Sequence, residues 1–405
     1  MQKFAGWDDA APVAAPGAAA QPKTHDLQLV VVGPALAGLL VLAGLAAREA
    51  GWRQAALAAV GFFAGVALYH SSFGFAFSWR RMLIERRSRA IRAQLVMLAL
   101  AILVFFPALA RGSLFGADVS GFVFPVGPAL VLGAFLFGVG MQLGGGCGSG
   151  TLYTAGGGNT RMAATLAAFI AGSLAATADP LAWRSWPAMG GLSLVENFGG
   201  AMALCLGLLA LAACYAAALA IERRRHAAVE PLAQDFSRSS LLSGPWPLVG
   251  GAVALALVNI ATLALAGRPW GVTYGFALWG AKLAAAMGVN VAAWPFWQGE
   301  GALTASLFAD ATSVMNFGLM LGAAAAAGLA GAYAPQWRIP ARSLLAAVLG
   351  GLLMGVGARL ATGCNIGAFF SGLASGSLHG LVWAICAMAG VAAGARLRPW
   401  FSLSR

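Results

Sequence analysis

The chain has 405 residues, of which 60% are hydrophobic and only 9% are charged, and its mean hydropathy is +0.80. An ordinary soluble domain carries about 25% charged residues. The composition therefore excludes a soluble globular protein and predicts a polytopic membrane protein. The net charge of +12 does not indicate nucleic-acid binding, because the arginines cluster in short connectors, as expected for cytoplasmic loops under the positive-inside rule.

The apolar runs divide the chain into two membrane halves. We expect residues 1–26, which are polar and rich in Ala and Pro, to form a mobile tail without the pattern of a cleaved signal peptide. Residues 27–221 form the first half, and residues 222–244 are the most polar connector, expected to be cytoplasmic. Residues 245–398 form the second half, and residues 399–405 are a basic C-terminal end.

We predict eleven membrane spans, since about 20 apolar residues suffice to cross a bilayer. The six spans of the first half are 27–47, 54–77, 93–110, one opened by Pro125, one beginning near Arg161, and 198–221. The five spans of the second half are 246–266, 270–289, one opened by Asp310, 343–360 and 378–395.

One short phrase occurs twice, each time between two apolar runs. Residues 138–150 and 355–367 share Gly-Val-Gly, a Leu, a Gly-Cys pair and a Gly three residues after the Cys. A second echo, residues 74–77 against 275–278, shows that the repeat is wider than the cysteine phrase. Repeats with interrupted helices in corresponding positions are the best sequence indication of a transporter binding site. We therefore predict an all-α membrane protein of two pseudo-symmetric repeats, each with a Gly-rich re-entrant cysteine turn.

The relative orientation of the two repeats depends on the number of spans. Eleven spans would place both cysteine turns on one side and the basic C-terminus outside, against the positive-inside rule. One span missed or wrongly counted, near 180–191 or 294–307, would invert the second repeat. The loop charges favour this inverted arrangement.

The cysteine phrases are too short and too rich in glycine to cross the membrane, so they are expected to be re-entrant turns buried in protein. Glycine backbones in such turns can leave several N–H groups pointing one way, which attracts anions. Neither phrase contains a carboxylate, so an anionic or sulfur-bearing solute fits better than a metal cation, and no cofactor is expected. The predicted substrate-binding residues are Cys147, Cys364, Gly146, Gly148, Ser149, Gly150, Thr151, Gly363, Asn365 and Gly367.

A thiol in such a turn can donate a weak S–H hydrogen bond or, as a thiolate, attack sulfur. Transport requires weak contacts that release the solute, so two thiols in series would suit a relay. A small residue filling a tight turn is the alternative role, but the recurrence of Cys147 and Cys364 at aligned positions favours function. Cys205, Cys214 and Cys386 lie in ordinary apolar helices and are predicted to be packing residues.

Four ionisable side chains within apolar segments are possible pathway residues, namely Arg359, His70, His379 and Lys282. Arg359 could add positive charge near Cys364 or could anchor an interface, and its aligned counterpart is the neutral Gln142. Lys282 could serve a positive vestibule or mark a helix end, and each histidine could equally be a satisfied hydrogen-bonding group. No phosphate-binding loop is visible, so a solute or ion gradient would supply the energy.

Both phrases, together with residues 363–380, resemble the YeeE/YedE family of bacterial inner-membrane proteins, a sulfur or thiosulfate transporter family. The resemblance spans roughly residues 61–398. It implies thiosulfate uptake across the bacterial inner membrane through an hourglass-shaped protein with Cys147 and Cys364 near its waist. It also implies a cytoplasmic TusA-like sulfurtransferase as partner. Family members often carry a further cysteine where this chain has Ala76, echoed by Ala277, which leaves a third thiol and the exact substrate open.

The sequence thus predicts a non-enzymatic permease or channel in a lipid bilayer for a small inorganic sulfur anion, most of all thiosulfate. Its two cysteine thiols would make transient S–H hydrogen bonds to the anion. The alternatives are a membrane-embedded sulfurtransferase or thiol oxidoreductase using Cys147 or Cys364 covalently, or transport of another sulfur or selenium species. A structural subunit of a larger complex has no positive sign in the sequence.

Overall fold

The structure, a computed structural model, describes residues 27–179, 182–233, 236–237, 240–299 and 301–404. The predicted mobile tail, residues 1–26, lies outside the described residues. Helices make up most of the described part, as the apolar composition predicts. A two-stranded ribbon of β1 (Ser113–Leu114) and β2 (Ala117–Asp118) forms a hairpin after the fourth helix.

Eight helices form the first half. They are α1 (Leu29–Ala50), α2 (Trp52–Ser71), α3 (Phe75–Ile84), α4 (Arg89–Arg111), α5 (Pro128–Gly144), α6 (Gly148–Gly156), α7 (Thr160–Thr177) and α8 (Leu194–Arg225). The short α9 (Ser240–Ser243) belongs to the polar connector.

Six helices and one π-helical segment form the second half. They are α10 (Leu248–Ala266), α11 (Thr273–Ala286), α12 (Ala311–Leu329), α13 (Ala341–Leu360), the π-helical segment Asn365–Ser371, α14 (Gly372–Ala374) and α15 (Leu378–Leu397). Short 3₁₀ turns stand at Trp183–Ser185, Val291–Ala293, Gly301–Leu303 and Arg398–Phe401.

Ten helical stretches in the described part of the chain are long and apolar enough to cross a membrane. The sequence-based count of eleven is corrected at residues 270–289, where α11 has only 14 residues and is followed by 3₁₀ turns. The chain leaves the helix after Ala286, and Gly288 takes a left-handed conformation, with a φ of 89°, just beyond its end. An apolar run therefore does not distinguish a half-helix buried in protein from a lipid-facing span.

The two halves interlock helix by helix. In the centre, α5 and α7 of the first half pack against α13, and α15 packs against α5. At the side, α2 packs along α12 and α10, while α4 packs along α10 and α8. The main buried core therefore runs across both halves.

Glycines allow the central helices to touch backbone to backbone. A Cβ on Gly350 of α13 would lie 2.1 Å from the amide nitrogen of Gly144 at the end of α5. The contact of Gly133 with Gly357, and of Gly140 with Gly350, shows that α5 and α13 run antiparallel. Small residues permit such close helix packing in lipid, where no hydrophobic force favours association.

The arginine-rich connector after α3 meets the connector after α8. Arg81 pairs with Glu230 at 2.7 Å, and the fully buried Glu222 accepts hydrogen bonds from the backbone and side chain of Ser88. Arg87 also lies 3.5 Å from Glu222. These charges therefore form one face of the molecule, as expected if both connectors lie on the same side of the membrane.

Candidate functional site

The first cysteine turn, residues 145–151, joins α5 to α6. Gly145 ends α5 with a φ of 91°, which glycine adopts readily. Cys147 is the N-cap of α6, and its Sγ accepts a hydrogen bond from the Gly150 N–H at 3.4 Å. The Ser149 hydroxyl lies 3.5 Å from the same sulfur, and the Thr151 hydroxyl donates to the Cys147 carbonyl at 2.8 Å. The buried Cys147 thiol is thus engaged by groups of its own turn.

The second cysteine turn, residues 361–367, joins α13 to the π-helical segment. Thr362 and Gly363 have φ values of 55° and 151°, and the Cys364 side chain makes no capping hydrogen bond. Asn365 is completely buried, and neither its amide nitrogen nor its amide oxygen has a hydrogen-bond partner among the described residues. Buried polar side chains are nearly always paired, so this amide is a candidate for contact with a solute.

The two cysteine turns meet at Gly148. A Cβ at this position would lie 3.0 Å from the Cys364 Sγ and 3.3 Å from the Thr273 methyl carbon. Gly148 directly follows Cys147 in the chain, so both thiols lie around the same small region of backbone. The absence of a side chain at Gly148 leaves the room that the Cys364 thiol occupies.

The remaining predicted glycines lie within the same two turns. Gly146 packs against the backbone of Gly150 and Thr151, where an added Cβ would be 3.2 Å away from either. Gly367 faces Gly271: a Cβ added at Gly367 would lie 3.9 Å from the Gly271 Cα. The ten residues that the sequence predicted for substrate binding therefore lie in two turns, which contact each other where Gly148 meets the Cys364 sulfur.

Two half-helices begin beside the cysteine turns. α3 and α11 each start in the interior, and aligned residues of the two phrases reach them. Gln142 donates to the Ala76 carbonyl at 3.1 Å, and Arg359 donates to the Thr273 hydroxyl at 2.8 Å. The N-termini of α3, α6, α11 and the π-helical segment therefore all start within the protein near the two thiols, and helix N-termini favour negative charge.

Arg359 is the cation that these contacts link to the second cysteine turn. Its side chain is buried, with 7% of the residue exposed, and the Thr273 hydroxyl is its hydrogen-bond partner. The Nε of Arg359 has no acceptor in the described part of the chain, and no described carboxylate lies within 4 Å of the guanidinium. The sequence had left the choice between a pathway cation and an interfacial anchor open, and this burial is unlike that of an interfacial side chain.

Two arginines that the sequence analysis did not single out support the first turn. Arg161 donates from its two terminal nitrogens to the carbonyls of Gly144 and Leu143 at 2.8 and 2.7 Å, and from Nε to the Ser343 hydroxyl at 2.8 Å. Arg398 donates to the Gln142 carbonyl at 2.6 Å. These bonds satisfy the free carbonyls at the end of α5. For Arg161, the signal available in the sequence was its position at the very start of a predicted membrane span.

The other candidate pathway residues have local partners away from the two turns. Lys282 donates to the carbonyls of Leu303 and Ala305 at 2.7 and 2.6 Å, which ties α11 to the following loop. His70 packs on Trp246 with ring centroids 5.5 Å apart. The other buried histidine, His379, has its Nδ1 2.8 Å from the Ser377 hydroxyl.

The three remaining cysteines lie within long helices, as predicted. Cys205 and Cys214 are exposed on α8, and Cys386 is half-buried on α15. The packing role predicted for Cys205 and Cys214 is therefore wrong. Most of α8 is exposed in the same way, because this helix lies at the outside of the bundle.

Ten membrane-capable helices in the described part of the chain, with two buried thiols in the interior, define a multi-pass membrane protein. The family model described as Sulphur transport matches residues 70–393. The chain belongs to this family, which confirms the resemblance seen in the sequence.

The curated relatives that the chain matches are named as transporters. It is 32% identical over 175 residues to the probable transporter YedE of Escherichia coli and 31% identical over 176 residues to YedE of Salmonella typhimurium, and each match covers 42% of both chains. The chain thus spans less than half of the length of these YedE proteins. It is 29% identical over 256 residues to the thiosulfate transporter TsuA of Spirochaeta thermophila, covering 60% of this chain and 69% of TsuA.

Proposed function

We propose that this protein takes up a small inorganic sulfur anion through the two cysteine turns. Among such anions, thiosulfate is the solute that we propose first. The observation that carries the proposal is the meeting of both turns at Gly148, which lies next to Cys147 and within 3.0 Å, measured from its would-be Cβ, of the Cys364 sulfur. The relation to a named thiosulfate transporter supports the choice of solute.

The turns have the groups that such an anion needs. Thiols donate weak hydrogen bonds and are polarizable, so they suit a terminal sulfur atom that must bind and leave again. The Ser149 hydroxyl, the Asn365 amide and the N–H groups at two helix starts can replace water around the oxygen atoms. The solute would pass from one thiol to the other without forming a covalent bond.

The helix contacts favour two inverted repeats with re-entrant turns. Gly138 on α5 abuts α15 at the Ala387 carbonyl, whereas the aligned Gly355 on α13 abuts α7 at the Phe169 carbonyl. Aligned glycines thus make exchanged contacts, and their helices α5 and α13 run antiparallel. Two copies of one unit related by an in-plane axis would produce this pattern.

The two turns then approach the centre from opposite faces. The segment after Cys147 returns to Gly157, which packs on the Tyr69 ring at the end of α2. The segment after Cys364 returns to Ser375, whose hydroxyl accepts from the Phe122 N–H at 2.9 Å beyond the far end of α4. We place the arginine-rich face in the cytoplasm, the protein in the bacterial inner membrane, and a TusA-like sulfurtransferase as the cytoplasmic acceptor.

Uptake into proteoliposomes tests the proposal. Thiosulfate labelled on both sulfur atoms is supplied to vesicles containing the wild type, Cys147→Ser, Cys364→Ser or Cys205→Ser. We expect each of the first two substitutions to reduce uptake roughly tenfold, since each removes a direct contact. Cys205→Ser is the matched control because its thiol is exposed on the outer helix α8.

Undiminished uptake by the Cys147→Ser, Cys364→Ser double variant would contradict the relay. Both labels must also arrive together inside the vesicle. A single label left on the protein would instead indicate covalent sulfur transfer.

A further inference from the structure

We infer that Arg359 is a specificity-determining residue that makes the Cys364 turn prefer divalent sulfur anions over monovalent ones. The inference deepens the proposed function and rests on it for the location of the solute path. Its own basis is the pairing state of two buried side chains, Arg359 and Asn365.

Arg161 and Arg359 are both buried beside helix ends, but they differ in how many of their N–H groups have acceptors. Arg161 directs three N–H groups at three acceptors, two of them carbonyls at the end of a helix. Arg359 also stands near a helix end, on the last turn of α13, but its hydrogen bond goes to the Thr273 hydroxyl and its Nε finds no acceptor among the described residues. Arg161 therefore completes a structure, whereas Arg359 retains donors for a ligand.

Burial makes the unpaired charge significant. Only 7% of Arg359 is exposed, and a guanidinium removed from water without a counter-charge is costly in a membrane protein. An anion within reach of the guanidinium would offset this cost. Asn365, next to Cys364 and completely buried, supplies a further free donor and acceptor within the same turn.

The contacts place this charge at the solute site. Thr273, which holds the Arg359 guanidinium, has its methyl carbon 3.3 Å from the would-be Cβ of Gly148, and the Cys364 sulfur lies 3.0 Å from the same point. At the first cysteine turn the residue aligned with Arg359 is Gln142, whose amide bonds the Ala76 carbonyl, and the buried charge beside that turn, Arg161, is engaged by three acceptors. The charges beside the two turns therefore differ in their hydrogen bonding although the turns share a sequence pattern.

The preference for divalent anions follows from Coulomb attraction. The energy between a fixed cation and an anion is proportional to the charge of the anion, and it is large in a site that excludes water. Removing the cation must therefore weaken binding of a divalent anion more than binding of a monovalent one.

Binding to the purified full-length protein in detergent tests this inference, with thiosulfate as the divalent probe and thiocyanate as the monovalent one. Both probes present a terminal sulfur. We expect Arg359→Gln, which copies the aligned Gln142, to lower the ratio of thiosulfate affinity to thiocyanate affinity roughly tenfold. Arg359→Lys should preserve most of the ratio, and the exposed Arg111→Gln serves as the charge-matched control.

An unchanged affinity ratio in folded Arg359→Gln protein overturns the inference, as does a wild type that binds neither anion. If Arg359→Gln does not fold, Thr273→Val decides: it removes the hydrogen bond that positions the guanidinium, and an unaltered ratio would overturn the inference equally. Failure of the transport proposal is distinct, since it means no uptake of thiosulfate by a protein that still binds it in a charge-dependent way.

Discussion

The two cysteine turns share a sequence pattern but differ in how their polar groups are satisfied. At the first turn, the Cys147 sulfur accepts from the Gly150 N–H and contacts the Ser149 hydroxyl. At the second, Cys364 makes no capping bond and the amide of Asn365 has no described partner. The Cys147 thiol of the first turn is engaged within the turn and Arg161 bonds the carbonyls that precede it, whereas the Asn365 amide of the second turn is free among the described residues. A duplicated motif can therefore keep its shape while only one copy retains strong capacity for a charged ligand.

The largest expected effect concerns the support that both turns share. Gly350→Ala would place a Cβ 2.1 Å from the Gly144 nitrogen, so α13 and α5 would have to separate. We expect a loss of about 3 kcal/mol or more, at the upper end of overpacking costs. Thermal unfolding in detergent measures it. Gly44→Ala in α1 is the control, since nothing lies within 4 Å of its would-be Cβ, and equal melting temperatures for both variants would contradict the close contact.

The next effect should separate the two turns. Arg161→Gln removes charged donors from the last carbonyls of α5, which precede the first turn only. Hydrogen bonds from charged groups contribute about 1.5–3 kcal/mol each, so the loss of these two bonds should lower the free energy of unfolding by about 3 kcal/mol. Uptake should fall with it. If the exposed Arg111→Gln destabilises the protein as much, the specific support of the first turn is disproved.

A third substitution compares the contributions of the two turns to binding of the solute. Asn365→Ala removes an amide that has no described partner, so the stability should change by less than about 1 kcal/mol or even rise. Binding of thiosulfate to the purified protein should nevertheless weaken several-fold, roughly 3- to 10-fold, because the solute loses a polar contact. Ser149→Ala, the matched change at the first turn, should weaken binding less. A larger loss of binding for Ser149→Ala would reverse the comparison between the turns.

The smallest expected effect tests backbone conformation at two aligned positions. Gly145 and Thr362 both have positive φ, at 91° and 55°, yet only the first is a glycine. A left-handed non-glycine residue costs about 1–2 kcal/mol, and the entropy of an added glycine offsets part of this. Thr362→Gly should therefore stabilise the protein by less than about 1 kcal/mol, seen as a small rise in melting temperature. A fall would show that the Thr362 side chain contributes more than its backbone costs.

The membrane class, the pair of turns and the family could be predicted from the sequence, because composition and a local Gly-Cys pattern carry them. The ten residues predicted to bind substrate belong to two short phrases, and the recurrence of the phrase in the sequence singled them out. The supporting residues could not be found in this way. The bond of Arg161 to the Gly144 carbonyl, and that of Arg359 to Thr273, join segments far apart in the chain, and no periodicity encodes them.

The length of α11 shows a second limit. Residues 270–289 are as apolar as a membrane span. The reason is that other parts of the protein cover α11 where lipid would cover a span. Hydropathy measures what a side chain prefers, and both surroundings satisfy the same preference. To tell a buried half-helix from a membrane span, one must know that α11 begins at Thr273 inside the bundle, where the Thr273 hydroxyl accepts a hydrogen bond from Arg359.

The backbone contact between α5 and α13 joins the two helices that lead directly into the cysteine turns. Under the proposed transport function, we expect α5 and α13 to move as one rigid unit, so that the distance between Cys147 and Cys364 stays nearly constant during the cycle. Access to the two thiols would then change by movement of the surrounding segments.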